Sequence, residues 1–458
     1  MASKNANRRE VVVIGAGPAG YAAAFLAADL GKKVTMVDPE ENPGGVCLHA
    51  VKTRRDAIDG AEWGIAFDEP SVDLDALRSW KGKVVDRLTG GTASLAKRRK
   101  IERIRGMASF ADPHTVKVAG EDGEQTITAE SIIVATGAAP RALPILPDDE
   151  RVWTSKEALD LPSIPERLLV IGAGYIGLEL SYTYAGLGSS VEIAEMTPDL
   201  MPGADRDLVE VFERVNKDYY EDILLSTTVD KVKPGKKGLA VTFSGDGAPA
   251  EPRTYDAILS CVGRVPVTDT LDTNAAGIEI TDKGFIRVDS QRRTSQEHIF
   301  AVGDVAGAPL LAHKGKYEGR VAARVVAGDD AARYDPHAIP AVEYTEPEIA
   351  WCGVTETQAE EEGRKVDVAR FPWSASGRAV TMGRRHGLTK LVIEPETSRI
   401  IGVGIAGTHA GELIPEGVLA IEMAALAEDL EMTIHPHPTL SETIMEAAAR
   451  YAGTPTDI

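Results

Sequence analysis

Apolar residues along the chain fall into short blocks, separated by glycine turns and by mixed helical stretches. Glu10-Val11-Val12-Val13-Ile14 is the first block. A run that is apolar on both faces suits a strand buried in a parallel sheet. An Ala-rich segment follows and predicts a helix to about Leu30, and Lys33-Val34-Thr35-Met36-Val37 predicts a second strand ending at Asp38. The same order returns at Leu168-Leu169-Val170-Ile171, a helix, and Ser190-Val191-Glu192-Ile193-Ala194 ending at Glu195. These are two complete βαβ units. Between them, residues 73–98 read as a long helix, and Thr115-Val116-Lys117-Val118 and Gln125-Thr126-Ile127 alternate as strands do. Pro-rich stretches at 140–147 and 162–165 precede the second unit. Beyond about Pro340, strands and helices continue without a glycine fingerprint and predict a third domain. The fold class expected is α/β, with two Rossmann-like domains and a C-terminal α+β domain.

Each unit joins its first strand to its helix through glycines: Gly15-Ala16-Gly17-Pro18-Ala19-Gly20 and Gly172-Ala173-Gly174-Tyr175-Ile176-Gly177. In such a turn the first glycine makes the tight bend and the second lets a pyrophosphate approach the backbone. The third lets helix and strand pack closely. The helix start offers free N–H groups and a positive dipole end to phosphate. Asp38 and Glu195 stand where a carboxylate accepts a bond from a ribose 2′-hydroxyl. A 2′-phosphate would meet negative charge at Glu195, so the second site is expected to prefer NAD to NADP.

Composition narrows the classes further. The formal net charge is -20 and 43% of residues are hydrophobic. That charge argues against a nucleic-acid partner, which needs clustered Lys and Arg. Lys97-Arg98-Arg99-Lys100 is the one basic cluster in the sequence and reads as a solvated helix face. Met1-Ala2-Ser3-Lys4 leads into polar residues without the apolar core of a secretory signal. No stretch approaches the ~18 apolar residues of a membrane span. Cysteines occur only at Cys47, Cys261 and Cys352, which suits a reducing cytosol. A cytoplasmic protein with no membrane partner and no metal site is expected.

Two dinucleotide fingerprints in one chain suggest hydride transfer between the bound groups. Further motifs follow in order: Ala135-Thr136-Gly137, Val262-Gly263-Arg264, Ile299-Phe300-Ala301-Val302-Gly303-Asp304 and Leu311-Ala312-His313-Lys314. Then come Tyr344-Thr345-Glu346-Pro347-Glu348 and His435-Pro436-His437-Pro438-Thr439-Leu440-Ser441-Glu442. Through these the whole chain resembles the pyridine nucleotide–disulfide oxidoreductases, and among them the dihydrolipoamide dehydrogenases.

The resemblance implies an FAD site at Gly15, Gly17, Gly20 and Asp38. Gly45, Ala108, Thr136, Gly137, Gly303, Asp304 and Ala312 would complete it. It implies an NAD site at Gly172, Gly174, Gly177, Glu179, Glu195 and Gly263. The FAD domain would be split into 1–145 and 269–340, around an NAD domain at 146–268. Residues 341–458 would form the interface of a homodimer. There His437, oriented by Glu442, would act as acid–base in the partner's active site, a task that suits an imidazole titrating near neutrality. His435 is given no catalytic role. The implied partners are the lipoyl domains of 2-oxo acid dehydrogenase complexes.

One segment departs from the pattern. The resembled family carries Gly-Gly-x-Cys-Leu-Asn-x-Gly-Cys-Ile-Pro-Ser-Lys, whereas here Gly44-Gly45-Val46-Cys47-Leu48 is followed by His49-Ala50-Val51-Lys52. Aligned without a gap, Lys52 takes the place of the second cysteine. Aligned with a gap of about eleven residues, register returns at Trp63-Gly64-Ile65-Ala66-Phe67, and this alignment is preferred; the gap is close to three helical turns. Cys47 then matches the first redox cysteine and has no partner sulfur. The family's flavin-side lysine is lost as well, which leaves Glu179 without its usual counter-charge. Cys261 and Cys352 read as buried structural thiols. Three readings stay open: a dihydrolipoamide dehydrogenase with an incomplete centre, an NADH-dependent flavin diaphorase with another acceptor, and a non-catalytic subunit.

Overall fold

The computed structural model describes residues 8–40, 48–68, 70–121 and 123–457. The chain forms two compact units. Of the described residues, the first contains those up to 40, those from 75 to 141 and 264–335, and the second those from 48 to 74, 142–263 and those from 336 onward.

In the first unit the central sheet runs in the order Glu102–Arg105, Val34–Asp38, Arg8–Ile14, Gly123–Val134, Thr115–Gly120, Met107–Asp112, and Ile299–Ala301 also pairs with Gly123–Val134. Arg8–Ile14 is parallel to both of its neighbours. Its valines show why the block is apolar throughout. Val11 and Val13 pack with Ala23, Ala24, Val321 and Ala322 on the helical face. Val12 and Ile14 face Phe110, Val116 and Val118 on the other. The helices Pro18–Asp29 and Ala312–Val326 pack against each other at very short range. A Cβ at Gly319 would lie 2.5 Å from the Ala19 carbonyl oxygen, so only glycine fits there. The helix expected at 73–98 is Leu74–Arg98.

In the second unit a parallel sheet runs Asp222–Leu224, Ser190–Ala194, Arg167–Ile171, Ala257–Ser260, Val152–Trp153. The antiparallel strands Thr227–Gly235, Gly238–Gly245 and Arg253–Tyr255 add Val241, Phe243 and Tyr255 to the core beneath Leu169 and Ile258. The C-terminal residues form an antiparallel sheet in the order Ala341–Glu343, Glu348–Gly353, Ile400–Gly407, Leu388–Ile393, Asp367–Pro372. Fully buried Trp373 lies flat under it, where Gly387 and Gly407 leave room for the indole, and its Nε1 donates to Thr389 Oγ1 at 2.9 Å.

The helix Leu48–Asp59 packs within this second unit against Tyr175–Leu187. Val51 fills the space that a side chain at Gly186 would need. Arg54 donates to the Gly186 carbonyl at 3.1 Å, and Arg384 pairs with Asp59 at 2.7 Å and Asp56 at 3.0 Å. Among the described residues no helix is long and apolar enough to cross a membrane.

Candidate functional site

The first glycine turn divides its glycines into two kinds. A Cβ at Gly15 would strike the Ala135 carbonyl, and one at Gly20 would strike the Gly15 carbonyl, so both positions are closed by backbone. A Cβ at Gly17 would meet nothing within 4 Å. The turn thus keeps open space where a pyrophosphate would approach. The helix Pro18–Asp29 begins there with Pro18 in its first turn and no side-chain cap. Proline removes a donor that would be orphaned anyway, and the other first-turn N–H groups are left to a ligand. At the end of the next strand, Asp38 Oδ2 accepts the Ala16 N–H at 2.6 Å and Oδ1 accepts the Glu40 N–H at 2.8 Å. Burial pushes the Asp38 carboxyl upward, and these two bonds oppose it.

The other residues expected at this site lie in the same unit. Thr136 donates its hydroxyl to the Val267 carbonyl at 2.7 Å, and Gly137 is left-handed, with φ of 73°. The Gly303 N–H donates to Glu318 Oε2 at 2.7 Å, and buried Glu318 also pairs with Arg292 at 2.9 Å and Lys314 at 3.3 Å. The Asp304 carboxyl is half-buried; burial raises it, while Arg264 and Lys314 pull it down. No hydrogen bond from a described residue occupies that carboxyl. Ala312 is the first residue of its helix, and Ala108 is buried in a strand opposite Val118. An open turn, an uncapped helix start and a carboxyl free for a polyol fit FAD. Gly45 and Cys47 lie outside the described residues.

The second turn repeats the scheme. A Cβ at Gly172 would lie 2.6 Å from the Cys261 carbonyl oxygen, one at Gly177 would strike the Gly172 carbonyl, and one at Gly174 would meet nothing within 4 Å. The helix Tyr175–Leu187 starts without a side-chain cap. Buried Glu195 accepts the Ala173 N–H through Oε2 at 2.8 Å, and the Thr197 N–H and hydroxyl through Oε1, each at 2.8 Å. Gly263 is left-handed, with φ of 102°. This set fits a dinucleotide whose ribose carries a free 2′-hydroxyl.

Glu179 is one turn into that helix. Burial lifts its carboxyl to about 7, and only the Tyr344 N–H opposes the rise. Glu343, one residue before Tyr344, is 1% exposed and leaves Oε1 without a partner among the described residues. Burial, with Glu179 nearby, raises it well above the usual carboxylate range. Sequence reading missed Glu343: a lone glutamate in a strand carries no pattern that announces its burial.

His437 stands in the loop before the helix Glu442–Ala452. Its Nδ1 bonds Glu442 Oε1 at 2.8 Å, and Glu442 Oε2 accepts the Thr439 N–H at 2.7 Å. A carboxylate only accepts, so Nδ1 carries the hydrogen and Nε2 is left as the exchangeable nitrogen. The His437 side chain is 77% exposed. His435 differs, with Nδ1 at 2.8 Å from the Thr433 carbonyl and Nε2 at 2.7 Å from Glu416. Cys352 is buried as expected, whereas Cys261 is only half-buried by surface exposure; desolvation pushes both thiols up to about 12, far from reactive thiolates.

The run Lys97-Arg98-Arg99-Lys100 is not wholly a solvated face, because Arg99 pairs with Asp29 at 2.9 Å and lies over Phe25. It is also not the one basic cluster, since helix winding aligns Lys316, Arg320 and Arg324, a signal present in the sequence at four-residue spacing. The carboxylates of Asp205, Asp207 and Glu356 converge as metal ligands do, but Lys390 Nζ sits among them at 2.7, 2.9 and 2.9 Å. That makes them an ion-pair node.

Residues 9–319 match the family described as pyridine nucleotide-disulphide oxidoreductase, and residues 339–448 match that family's dimerisation domain. A dihydrolipoyl dehydrogenase of Vibrio cholerae is 46% identical over 463 residues, covering 98% of this chain and 97% of the relative. One of Bacillus subtilis is 42% identical, with 98% and 97% covered. Among solved structures, LpdA from Mycobacterium tuberculosis superimposes with a TM-score of 0.89 at 26% identity, covering 97% of this chain and 99% of that one. The HOCl-induced flavoprotein disulfide reductase RclA from Escherichia coli gives 0.82 at 26% identity, covering 95% and 98%.

Proposed function

The chain belongs to the pyridine nucleotide-disulphide oxidoreductases, and from that membership we propose roles for its residues and a limit on its chemistry. It is a flavoprotein oxidoreductase of the dihydrolipoyl dehydrogenase type, with FAD and NAD as cofactors. FAD and NAD, when bound, supply hydride transfer between flavin and nicotinamide.

The turn at Gly15, Gly17 and Gly20 takes the FAD pyrophosphate, Asp38 its adenosine ribose and Asp304 its ribityl chain. Gly172, Gly174 and Gly177 take the NAD pyrophosphate, and Glu195 accepts from the ribose 2′-hydroxyl. The C-terminal domain joins two chains into a homodimer, and His437 then serves the partner's site. Its Nε2 takes the proton of a dithiol S–H and leaves a thiolate, while Glu442 holds Nδ1 and steadies the cation that forms. The natural dithiols are lipoyl groups of 2-oxo acid dehydrogenase complexes, and the setting is the cytoplasm.

The limit comes from one observation. Cys47 matches the first redox cysteine, and no cysteine lies between it and Trp63. The remaining thiols, Cys261 and Cys352, are held near 12 by desolvation. Thiol–disulfide exchange that feeds a flavin needs an intramolecular disulfide, whose second sulfur leaves as thiolate. With Cys47 alone a dithiol meets a thiol and no disulfide, so no exchange starts from the dithiol side; attack of the Cys47 thiolate on an oxidised lipoyl disulfide would release one lipoyl sulfur and stop at a mixed disulfide. The flavin is therefore reducible from the NADH side and not from the dithiol side.

Anaerobic titration followed at the flavin band tests this reading. NADH should bleach the band and support diaphorase turnover with artificial acceptors, and dihydrolipoamide should not bleach it. Rapid bleaching by dihydrolipoamide with a long-wavelength charge-transfer band would overturn the reading.

A further inference from the structure

The helix Ala312–Val326 turns an unusual surface to solvent. His313, Lys316, Tyr317, Arg320, Val321, Arg324, Ala332 and Arg333 line a cavity of about 360 Å³ within the first unit. Lys316, Arg320 and Arg324 follow one another at four-residue spacing on one helix face, and all are exposed. Like charges so placed repel each other and destabilise a helix. No ion pair among the described residues relieves them. The acid on the same helix, Glu318, points inward, where Arg292, Lys314 and the Gly303 N–H occupy it. Arg333 is held at the rim by donating Nη1 to the Asp330 and Ala332 carbonyls. Lys316 lies 5.5 Å from the Tyr21 ring centroid. In a chain of net charge -20, four cations around one cavity are a local exception.

We propose that this cavity binds a small polyphosphate. Concave form and size place it among small-molecule sites rather than flat protein-docking faces. From Lys316 to Arg324 the helix rises roughly 12 Å, further than one phosphate reaches, so the ligand carries several phosphates in a row. Guanidinium forks suit phosphate oxygens in pairs. Tyr317 is 45% exposed and offers a flat face beside the stripe. A nucleoside polyphosphate would use both features, and a free polyphosphate only the cations.

The test is calorimetry on FAD-saturated protein with saturating NAD present, so that both dinucleotide sites are filled. The probes are tripolyphosphate, ATP and a short polyglutamate peptide. One site per chain for tripolyphosphate or ATP is expected, weakening as salt is raised. Arg320→Gln with Arg324→Gln should weaken it about tenfold or more, leaving the rate of flavin reduction by NADH and the melting temperature unchanged. ATP binding tighter than tripolyphosphate, with the advantage lost in Tyr317→Ala, identifies a nucleotide as ligand. Equal binding identifies free polyphosphate. Absence of binding, binding retained by the double variant, or tighter binding of polyglutamate overturns the proposal. Lys316→Gln is the further check should the double variant fail to fold.

Discussion

The Glu179 carboxylate accepts the Tyr344 backbone N–H at 3.2 Å, and no cation stands beside it among the described residues. Burial therefore governs its titration and lifts it from 4.5 to about 7. A carboxyl raised on folding binds its proton more tightly in the folded chain than in the unfolded one. Stability then falls as pH rises from the unfolded value of 4.5 through about 7, and levels off above. Glu179→Gln removes the ionisation. At pH 8 it should be more stable than the parent by about 1–3 kcal/mol, the upper figure being nearly the full linkage value and the lower allowing for partial solvation. At pH 4 the two should agree. Urea unfolding at both pH values checks this, and a variant no more stable at pH 8 would mean that Glu179 has a counter-charge after all.

The two kinds of glycine in the first turn separate fold from ligand. At Gly17 a methyl group meets open space, whereas at Gly20 it meets the Gly15 carbonyl. Gly17→Ala should leave the apoprotein's unfolding midpoint within about 0.5 kcal/mol of the parent, and should weaken FAD uptake at least tenfold. Gly20→Ala should cost about 2–4 kcal/mol, because backbone must move to admit the methyl. Denaturation of apoprotein beside flavin reconstitution tells the two apart. Equal stability loss in both variants would remove the distinction.

Much of the architecture was legible in the chain because its signals are local. Val11 to Ile14 announces a strand covered on both faces, and the spacing from Gly15 to Asp38 and from Gly172 to Glu195 places each carboxylate at the end of the following strand. His437 and Glu442 are five residues apart, close enough for the pair to be read as a unit. What escaped depends on distant segments meeting. Tyr344 reaches Glu179 across 165 positions, and Val51 docks on Gly186 across the same kind of separation. Neither contact leaves a periodic trace. The stripe of Lys316, Arg320 and Arg324 was present at helical spacing, but net charge hid it, because a strongly acidic total says nothing about one face. Cys47 was found by motif alone.

Nucleotide choice is expected to rest on charge at Glu195. Its two oxygens are already fixed by the Ala173 and Thr197 donors, so the carboxylate cannot swing away from a 2′-phosphate. Stopped-flow reduction of the flavin should show kcat/KM for NADH exceeding that for NADPH by about 100-fold, or near 3 kcal/mol. Glu195→Gln keeps an oxygen for one of these donors and removes the charge. It should raise the NADPH value roughly tenfold with a smaller fall for NADH. Comparable values for the two nucleotides in the parent protein would sink the assignment.

The incomplete dithiol centre leads to a prediction about gain of function. If Cys47 lacks only its partner, supplying the missing segment should complete the relay. An insertion of Asn-Val-Gly-Cys-Ile-Pro-Ser-Lys-Ala-Leu-Leu between Leu48 and His49 restores the second sulfur five positions beyond Cys47, with four residues between them, and a lysine as well. Dihydrolipoamide should then bleach the flavin anaerobically, and lipoamide turnover should rise at least 100-fold over the parent, a change of about 3 kcal/mol in barrier. Two controls place the gain on the relay. Cys47→Ser in the inserted chain should abolish lipoamide turnover, yet in the parent it should leave the NADH diaphorase rate nearly unchanged. His437→Gln in the inserted chain should slow dithiol turnover by about 10²–10⁴, the usual span of acid–base catalysis, and spare diaphorase activity. An inserted chain that binds FAD, is reduced by NADH and still ignores dihydrolipoamide would show that the gap is not what limits this protein. The cause would then lie with His437 or with access of the dithiol to the site.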